Sequence, residues 1–266
     1  MPSPKKAATS DVSSGWIETV KTIVYAGLIA LGVRTIAVEP FNIPSGSMIP
    51  TLLIGDFVFV TKYSYGYSRY SIPFSPPLFG WSKTGRILGS LPKRGDVAVF
   101  RYTRDTTVDY VKRVIGLPGD HIQVKQGLLY INGTQLKREP VGDYEVADTD
   151  SGTRTLAKEY IETLPDGLRH HLLKYTDNEH FDPMSEVDPN NTTDYVVPDD
   201  DLFMMGDNRD NSSDSRFQND LGFVPVENLV GKAQFVFFSF DASHPWWQVW
   251  MWPFEVRWSR LLKGVG

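Results

Sequence analysis

The sequence of 266 residues predicts a mainly β protein with an inserted second subdomain and one N-terminal transmembrane helix. Three observations predict this class. Short apolar runs rich in aromatic and β-branched residues alternate with turns rich in Gly and Pro. An acidic block interrupts these runs. A single apolar stretch near the N-terminus approaches the length that a membrane-spanning helix needs.

The N-terminal region predicts a disordered tail followed by a membrane anchor. Residues 1–15 are rich in Ser, Pro, Ala and Lys and show no apolar period. Residues 16–38 are apolar, but Lys21 and Arg34 bound an uninterrupted stretch of only 12 residues. A span of about 20 residues forms if both charged side chains reach toward the membrane surfaces. A buried core helix and a cleaved signal peptide are the alternatives, although no Ala-x-Ala cleavage site follows.

Basic residues near the anchor predict its orientation. Lys5, Lys6 and Lys21 lie toward one end of the apolar stretch, and Arg34 alone lies at the other. The more basic side of a span faces the cytoplasm, so the rest of the chain is expected on the extracytoplasmic side.

Residues 39–124 and 202–241 are predicted to form the β core. Five apolar runs after the anchor have the composition of strands, and four of them lie in this core. The fourth in order lies in the insert and precedes an Asn-Gly pair typical of a hairpin turn. Residues 67–95 are rich in Gly and Pro and predict a long loop. The five runs are 56–61, 96–100, 110–115, 128–131 and 234–240.

Residues 125–201 are predicted to be an acidic inserted subdomain. Within residues 139–201, 17 Asp or Glu stand against 4 Lys or Arg, which leaves 13 net negative charges. We interpret the block as a solvated acidic surface. Three histidines in it lack the spacing of a metal site, so no metal is predicted. They are His170, His171 and His180.

Residues 242–266 form a Trp-rich C-terminal segment that holds five of the seven tryptophans. Trp favours the interface between membrane and water, so this segment is predicted to be membrane-interfacial. Packing against the β core is the alternative.

Composition excludes several function classes. Lys and Arg total 27 against 32 Asp and Glu, and a net charge of −5 argues against a nucleic-acid binder. The absence of cysteine excludes a disulfide framework, a thiol nucleophile and a Cys-based zinc site. No cofactor is predicted.

Ser47 is the first residue with a predicted chemical role. It lies in the segment Pro-Ser-Gly-Ser-Met-Ile-Pro-Thr-Leu at 44–52, where Gly46 allows neighbouring chain to approach closely. The alternative is a Ser-rich turn without chemistry. The segment follows the anchor closely, so a reactive Ser47 would work near the membrane surface.

Lys112 is the second residue with a predicted chemical role. On a strand, Tyr110, Lys112 and Val114 share one face. Lys112 is either an edge lysine that keeps its charge in water or a buried amine whose pKa is lowered by burial. A neutral amine can accept the proton of a serine hydroxyl, and a base works best when its pKa lies near the working pH. Such an amine needs apolar neighbours rather than a carboxylate partner.

The loop 206–216 holds three Asp, two Asn, two Arg and three Ser. An Asx-rich turn and a calcium loop are the alternatives, but two arginines among the ligands argue against calcium. We interpret the loop as a hydrogen-bonded network in which Ser212 orients the Lys112 amine. Asp214 and Arg216 are suited to a charge-assisted pair that braces it.

A Ser-His-Asp triad fits the sequence less well. Three of the five histidines lie in the acidic block and His244 lies in the Trp-rich segment. His121 alone remains as a candidate base.

Five segments together resemble the conserved boxes of bacterial type I signal peptidases, the leader peptidases. Each segment alone is a weak signal, but the five in this order are very specific. The resemblance runs from Glu39 to Asp241, apart from the acidic block. The segments are Pro-Ser-Gly-Ser-Met-Ile-Pro-Thr-Leu (44–52), Gly-Asp-Phe (55–57), Lys-Arg-Gly-Asp-Val (93–97), Tyr-Val-Lys-Arg-Val-Ile-Gly-Leu-Pro-Gly-Asp (110–120) and Gly-Asp-Asn-Arg-Asp-Asn-Ser-Ser-Asp-Ser-Arg (206–216).

The resemblance implies a signal-peptidase-like β core and a membrane-bound serine endopeptidase without a cofactor. Such an enzyme would act on the extracytoplasmic, periplasmic side of the bacterial cytoplasmic (inner) membrane, as a single-pass protein. It would remove signal peptides from secretory preproteins by cutting after small residues at −1 and −3. Its partners would be those signal peptides and membrane lipids, near the protein export channel, and not nucleic acid.

The resemblance also implies roles residue by residue. Ser47 matches the nucleophile and Lys112 the general base of a Ser-Lys dyad. Ser45, with the Ser47 backbone N–H, matches the oxyanion hole. Ser212 matches the hydroxyl that orients the lysine, and Asp214 with Arg216 matches a supporting pair. The positions that match the substrate pockets are Phe41, Ile43, Met48, Leu52 and Val111.

Two features depart from part of the family. The chain shows one predicted anchor rather than two, and residues 218–221 resemble a short insertion. Two rival functions remain at this stage. A self-cleaving Ser-Lys repressor would need a DNA-binding domain where the anchor lies. A membrane-tethered peptide-binding protein would keep its binding after Ser47→Ala.

Overall fold

The computed structural model describes residues 12–71, 85–147, 154–175, 188–241 and 252–266. Strands dominate these ranges, which confirms the mainly β prediction. The helices are α1 (Val12–Ile36) and α2 (Trp252–Glu255). The strands are β1 (Val38–Asn42), β2 (Asp56–Thr61), β3 (Val97–Arg101), β4 (Asp109–Gly116), β5 (His121–Lys125), β6 (Leu128–Ile131), β7 (Thr134–Gln135), β8 (Lys137–Ala147), β9 (Arg154–Thr163), β10 (Arg169–Tyr175), β11 (Tyr195–Val196), β12 (Asp201–Met205), β13 (Val224–Pro225), β14 (Leu229–Ser239) and β15 (Lys263–Gly264).

The largest sheet has the strand order β1-β2-β14-β3-β4-β12-β13, with β15 paired to β14. Strand β2 illustrates how one face of this sheet packs into the hydrophobic core. Val58 and Val60 are fully buried in the core, whereas Phe57 and Phe59 are half-buried on the opposite face. There Phe59 stacks on Phe237 of β14, with ring centroids 4.2 Å apart. The period of two in the sequence therefore divides core from outer surface.

The inserted region forms two further sheets between β4 and β12. One has the order β11-β5-β6-β7 and the other β10-β9-β8. The predicted hairpin is confirmed, because Asn132 and Gly133 turn with positive φ between β6 and β7. Strand β5 pairs with β6 and β11, so the second sheet begins at His121, although the sequence assigned residues up to 124 to the core.

The acidic block is not uniformly a solvated surface. Glu162 and His170 are only 1% and 3% exposed. The guanidinium groups of Arg138 and Arg209 replace water around the Glu162 carboxylate, at 3.1 and 2.5 Å. The solvated interpretation is therefore wrong for these two residues. His180 lies outside the described residues.

Helix α1 begins at Val12, so the predicted disordered tail is wrong for residues 12–15, and residues 1–11 lie outside the described ranges. The apolar side chains of Trp16, Leu28 and Ile29 on α1 are exposed. No helix in the described ranges reaches the length and apolarity that a membrane span requires.

The C-terminal segment joins the core through β15 and through ion pairs that Arg257 and Arg260 form with Asp56. Arg260 is buried and binds the Asp56 carboxylate of β2 with two nitrogens. Phe254 and Trp258 are exposed. Residues 242–251, which include Trp246, Trp247 and Trp250, lie outside the described ranges, so an interfacial role for this segment stays a prediction.

Candidate active site

Ser47 lies in a single 3-10 turn, Gly46–Met48, that follows β1. It is 8% exposed. A second loop holds this turn through Asn208. The Asn208 backbone N–H donates to the Ser47 carbonyl at 3.0 Å, and its side-chain amide donates to the Gly46 carbonyl at 3.1 Å. Two hydrogen bonds from Asn208 therefore hold the backbone of the turn that carries Ser47.

Lys112 on β4 meets Ser47 across the site. Its Nζ donates a hydrogen bond to Ser47 Oγ at 2.7 Å, although 65 residues separate the two in sequence. Lys112 is 4% exposed, so the buried-amine interpretation fits and the edge-lysine alternative does not. Burial lowers the pKa of Lys112 to about 8, with the nearby charge of Asp214 opposing the shift.

Ser45 lies beside the same hydroxyl. Its Oγ is 3.4 Å from Ser47 Oγ, and its side chain is open to solvent. Both hydroxyls therefore face one small region of space in front of the turn.

The loop 206–216 packs closely behind Ser47. An added Cβ on Gly206 would lie 2.2 Å from Ser212 Oγ and 2.6 Å from the Ser47 carbonyl oxygen, so only glycine fits there. Ser212 is buried, and its hydroxyl has no hydrogen-bond partner among the described residues. An orienting contact from Ser212 to Lys112 stays a prediction.

Asp214 and Arg216 form the pair that their types suggest. Arg216 Nε and Nη2 donate to the two Asp214 oxygens at 2.8 and 2.9 Å, and both residues are buried. The Gly206 N–H also donates to Asp214, at 3.1 Å. Burial alone would raise the pKa of Asp214, but Arg216 and the Gly206 amide hold it below its ordinary value.

A cleft of about 350 Å³ opens in front of the Ser47 hydroxyl. Strands β1 and β4 both line it although three strands separate them in the sheet, so the sheet curves around the site. Four of the five predicted pocket residues line the cleft, namely Phe41, Ile43, Met48 and Val111. Leu52 does not fit that prediction. It is fully buried in the core cluster with Met48, because the turn after Ser47 carries it beneath the cleft.

A buried ion-pair network beside the site was missed by the sequence reasoning. Arg113 donates two hydrogen bonds to Asp207, at 2.8 and 2.7 Å. Burial opposes the charged form of Asp207, yet Arg113 lowers the pKa of that carboxyl far below its ordinary value. Glu162 and His170 extend the network from the inserted hairpin. The sequence did contain a signal for this network. Arg113 follows Lys112 on the strand and therefore faces the opposite side of the sheet, and a buried arginine needs a carboxylate partner.

A further missed residue lies in the predicted insertion. Asp220 accepts hydrogen bonds from the Ser213 hydroxyl and the Tyr102 phenol. The Tyr102 ring stacks on Tyr110, with centroids 4.7 Å apart, and Ser213 and Tyr110 both line the cleft. The segment 218–221 therefore ties two walls of the cleft together.

His121 does not approach Ser47. It pairs with Asp194 at 2.8 Å on the exposed face of the second sheet. Within the described ranges, no group of His, Asp and Glu side chains has the geometry of a metal site.

The fold and the site together define a class. A curved antiparallel sheet that holds a serine hydroxyl against a buried lysine amine, in front of an apolar cleft, is the arrangement expected of a serine hydrolase with an amine base.

Comparison with known proteins identifies the family. A family model described as signal peptidase, peptidase S26, matches residues 16–238. A Signal peptidase I of Rickettsia typhi is 42% identical over 250 residues, covering 89% of each chain. A Signal peptidase I of Rickettsia canadensis is 43% identical over 229 residues, covering 85% of this chain and 81% of that one. The chain belongs to the signal peptidase family, peptidase S26, and is an enzyme, a serine peptidase.

A solved structure was also matched. The crystal structure of a signal peptidase I from Enterococcus faecalis V583 is 25% identical and covers 54% of this chain and 97% of that chain. Its TM-score is 0.30, so this superposition adds nothing to the assignment.

Proposed function

We propose that this enzyme is a membrane-bound Ser-Lys endopeptidase that removes signal peptides from exported preproteins. The observation that carries the proposal is the hydrogen bond of 2.7 Å between Lys112 Nζ and Ser47 Oγ in a buried site. The relatives named Signal peptidase I, which match most of the chain, support the choice of substrate.

The reaction follows from this geometry. Neutral Lys112 takes the Ser47 proton while Ser47 Oγ attacks the scissile carbonyl carbon. The resulting tetrahedral intermediate collapses, the C–N bond breaks, and the Lys112 ammonium returns its proton to the leaving amine. Water then attacks the acyl carbon and gives a proton to Lys112. The bond from that carbon to Ser47 Oγ breaks, the Lys112 ammonium returns the proton to Ser47, and the signal peptide leaves with a free carboxyl end.

The negative oxygen of each tetrahedral intermediate needs hydrogen-bond donors that stabilise its charge. The Ser45 hydroxyl and the Ser47 backbone N–H are the two groups that we assign to it. Ser45 Oγ lies 3.4 Å from Ser47 Oγ, so its hydroxyl is close enough to the attacked carbon to donate to the oxygen that becomes negative.

The cleft supports cleavage after small residues at −1 and −3. Its wall in front of Ser47 is apolar, formed by Phe41, Ile43, Met48 and Val111. A substrate strand that lies along this wall directs alternate side chains into it, which matches the −1 and −3 spacing. Large side chains at these positions would displace the scissile carbonyl from Ser47.

We also propose that α1 anchors the enzyme as a single pass, with the catalytic domain on the extracytoplasmic side of the bacterial inner membrane. The exposed apolar side chains of α1 and the lysines before it support this topology. Attachment of residues 242–266 to the membrane interface, near the protein export channel, belongs to the same proposal. Protease added to intact spheroplasts tests the orientation, because it should digest a catalytic domain that lies on the periplasmic side. Protection of that domain from the protease would refute the orientation.

The cleavage proposal is tested with the detergent-solubilised full chain and a preprotein that carries an Ala-x-Ala site. We expect a single cut after the −1 Ala, read from the product mass, and its loss in Ser47→Ala and in Lys112→Arg. Guanidinium stays protonated and cannot act as a base, so Lys112→Arg separates charge from basicity. Full cleavage by either folded variant would refute the Ser-Lys assignment.

A further inference from the structure

The inserted hairpin places two buried ionisable residues next to each other. Glu162 on β9 and His170 on β10 are directly paired across the strands. Their neighbours on the same strands behave differently. His171 and Glu159 form a hydrogen bond of 2.7 Å, and half of the His171 side chain is exposed. One pair of the hairpin is therefore buried against the catalytic core, and the other is partly exposed to solvent.

The buried pair contacts the loop that carries Asp207 and Arg209. His170 Nδ1 is 3.4 Å from Asp207 Oδ1, and His170 Nε2 is 3.5 Å from Glu162 Oε2. Glu162 accepts two hydrogen bonds from the Arg209 guanidinium, at 3.2 and 2.5 Å. The hairpin thus holds Arg209 through the Glu162 carboxylate, and the buried His170 ring packs against the Asp207 carboxylate.

Backbone hydrogen bonds add to the same attachment. The Leu173 N–H on β10 donates to the Asp207 carbonyl at 2.9 Å, and the Arg209 N–H donates to the Leu173 carbonyl at 3.0 Å. Asn208, between these two anchored residues, makes the contacts to the carbonyls of Ser47 and Gly46. A continuous chain of contacts therefore runs from the inserted hairpin to the turn of the nucleophile.

We propose that Glu162 and His170 are positioning residues for the reaction, which act through Asn208 on the Ser47 turn. The inserted hairpin then serves as a support for the nucleophile and not only as an acidic surface. This inference rests on the proposed function, because it assigns the residues to the Ser47 reaction.

The expected effect lies in the chemical step. The turn 46–48 directs the Ser47 hydroxyl and the Ser47 N–H together, so a displaced turn weakens both attack and oxyanion binding. A displacement of about 1 Å can cost about 10²-fold in rate. Phe41 on β1 and Val111 on β4 line the cleft outside this turn, so binding of substrate should change less than the chemical step.

The experiment compares two matched pairs of variants in the full chain. His170→Asn and Glu162→Gln remove the buried contacts, and His171→Asn with Glu159→Gln makes the same changes on the exposed face. For each folded variant, kcat and KM are measured on the preprotein at a temperature well below its melting transition. We expect kcat to fall by about 10- to 100-fold for the buried pair, with KM within about threefold. The exposed pair should keep both constants within about twofold.

A double-mutant cycle separates positioning from general damage. If His170 acts through Asn208, the variant that combines His170→Asn with Asn208→Ala should lose little more kcat than Asn208→Ala alone. Independent losses would instead add. Additive losses, an unchanged kcat in folded His170→Asn, or an effect on KM alone would each overturn the proposal. If Glu162→Gln does not fold, the result for His170→Asn alone tests the proposal, because this variant leaves the Glu162–Arg209 pair in place.

Failure of this inference is distinguishable from failure of the proposed function. Cleavage by the wild type that does not depend on Ser47 would refute the proposed function. Cleavage that depends on Ser47 and is unaffected in His170→Asn would refute only the positioning role.

Discussion

Two adjacent residues of β4, Lys112 and Arg113, carry buried cations in opposite ways. Both are almost fully buried. Arg113 is paired with Asp207 through two hydrogen bonds, whereas the hydrogen bond of Lys112 goes to the uncharged hydroxyl of Ser47. The two side chains are buried to a similar extent, but only Arg113 is paired with a carboxylate. Pairing stabilises Arg113 as a structural charge, whereas burial without a bonded carboxylate lowers the pKa of the Lys112 amine.

The largest expected effect comes from Lys112→Met, which keeps most of the side-chain volume and removes the amine. We expect kcat to fall by at least about 10⁴-fold, as for loss of other catalytic bases. Because the buried ammonium is disfavoured, the free energy of unfolding at pH 7 should rise by roughly 1–3 kcal/mol. Preprotein cleavage and urea unfolding measure the two effects. An active variant, or one less stable than the wild type, would contradict the unpaired-amine account.

Arg113→Met should change stability in the opposite direction. It leaves Asp207 buried without its guanidinium partner, and breaking such a pair costs about 3–5 kcal/mol. Urea unfolding at pH 7, side by side with Lys112→Met, tests the comparison directly. If the free energy of unfolding changed in the same direction in both variants, the two faces of β4 would not differ in the way described.

Ser45→Ala sharpens the account of the Lys112 face. Loss of one oxyanion donor typically lowers kcat by about 10²–10³-fold, and we expect KM to stay nearly constant. Ser213→Ala is the matched control, because Ser213 lines the same cleft but donates to Asp220. Equal effects of the two substitutions on kcat would remove Ser45 from the oxyanion hole.

The pH dependence gives the smallest effect. In the proposed mechanism only neutral Lys112 accepts the Ser47 proton, so activity should rise as pH rises through the Lys112 pKa of about 8. We expect kcat/KM to increase about tenfold per pH unit below that value and to level off above it. A profile that is flat between about pH 6 and pH 9 would exclude Lys112 as the titrating base.

The sequence predicted local structure better than contacts. The alternation of Val and Phe in β2 and the Asn132-Gly133 turn were predictable, since each depends on neighbouring residues. The approach of Lys112 to Ser47 followed from family resemblance, because pattern alone left open whether Ser47 lies in a turn without chemistry and whether Lys112 is an edge lysine.

Two errors have the same physical origin. Leu52 was assigned to the cleft, but the 3-10 turn rotates the chain and buries it in the core. Glu162 was assigned to a solvated surface, but arginines distant in sequence replace its water. Neither the rotation of a turn nor a partner from a neighbouring strand or a distant loop is encoded in a local pattern.

The most direct test of the central claim is the protonation of Lys112 itself. The ε-carbons of the lysines, labelled with ¹³C, can be titrated by NMR in the Ser47→Ala variant, and a Lys112→Arg spectrum assigns the resonance. We predict one lysine that titrates near pH 8 and is missing from the Lys112→Arg spectrum. If the Lys112 resonance titrates near the ordinary lysine value of 10.5, the amine is charged at working pH, and the Ser-Lys mechanism proposed for this site is wrong.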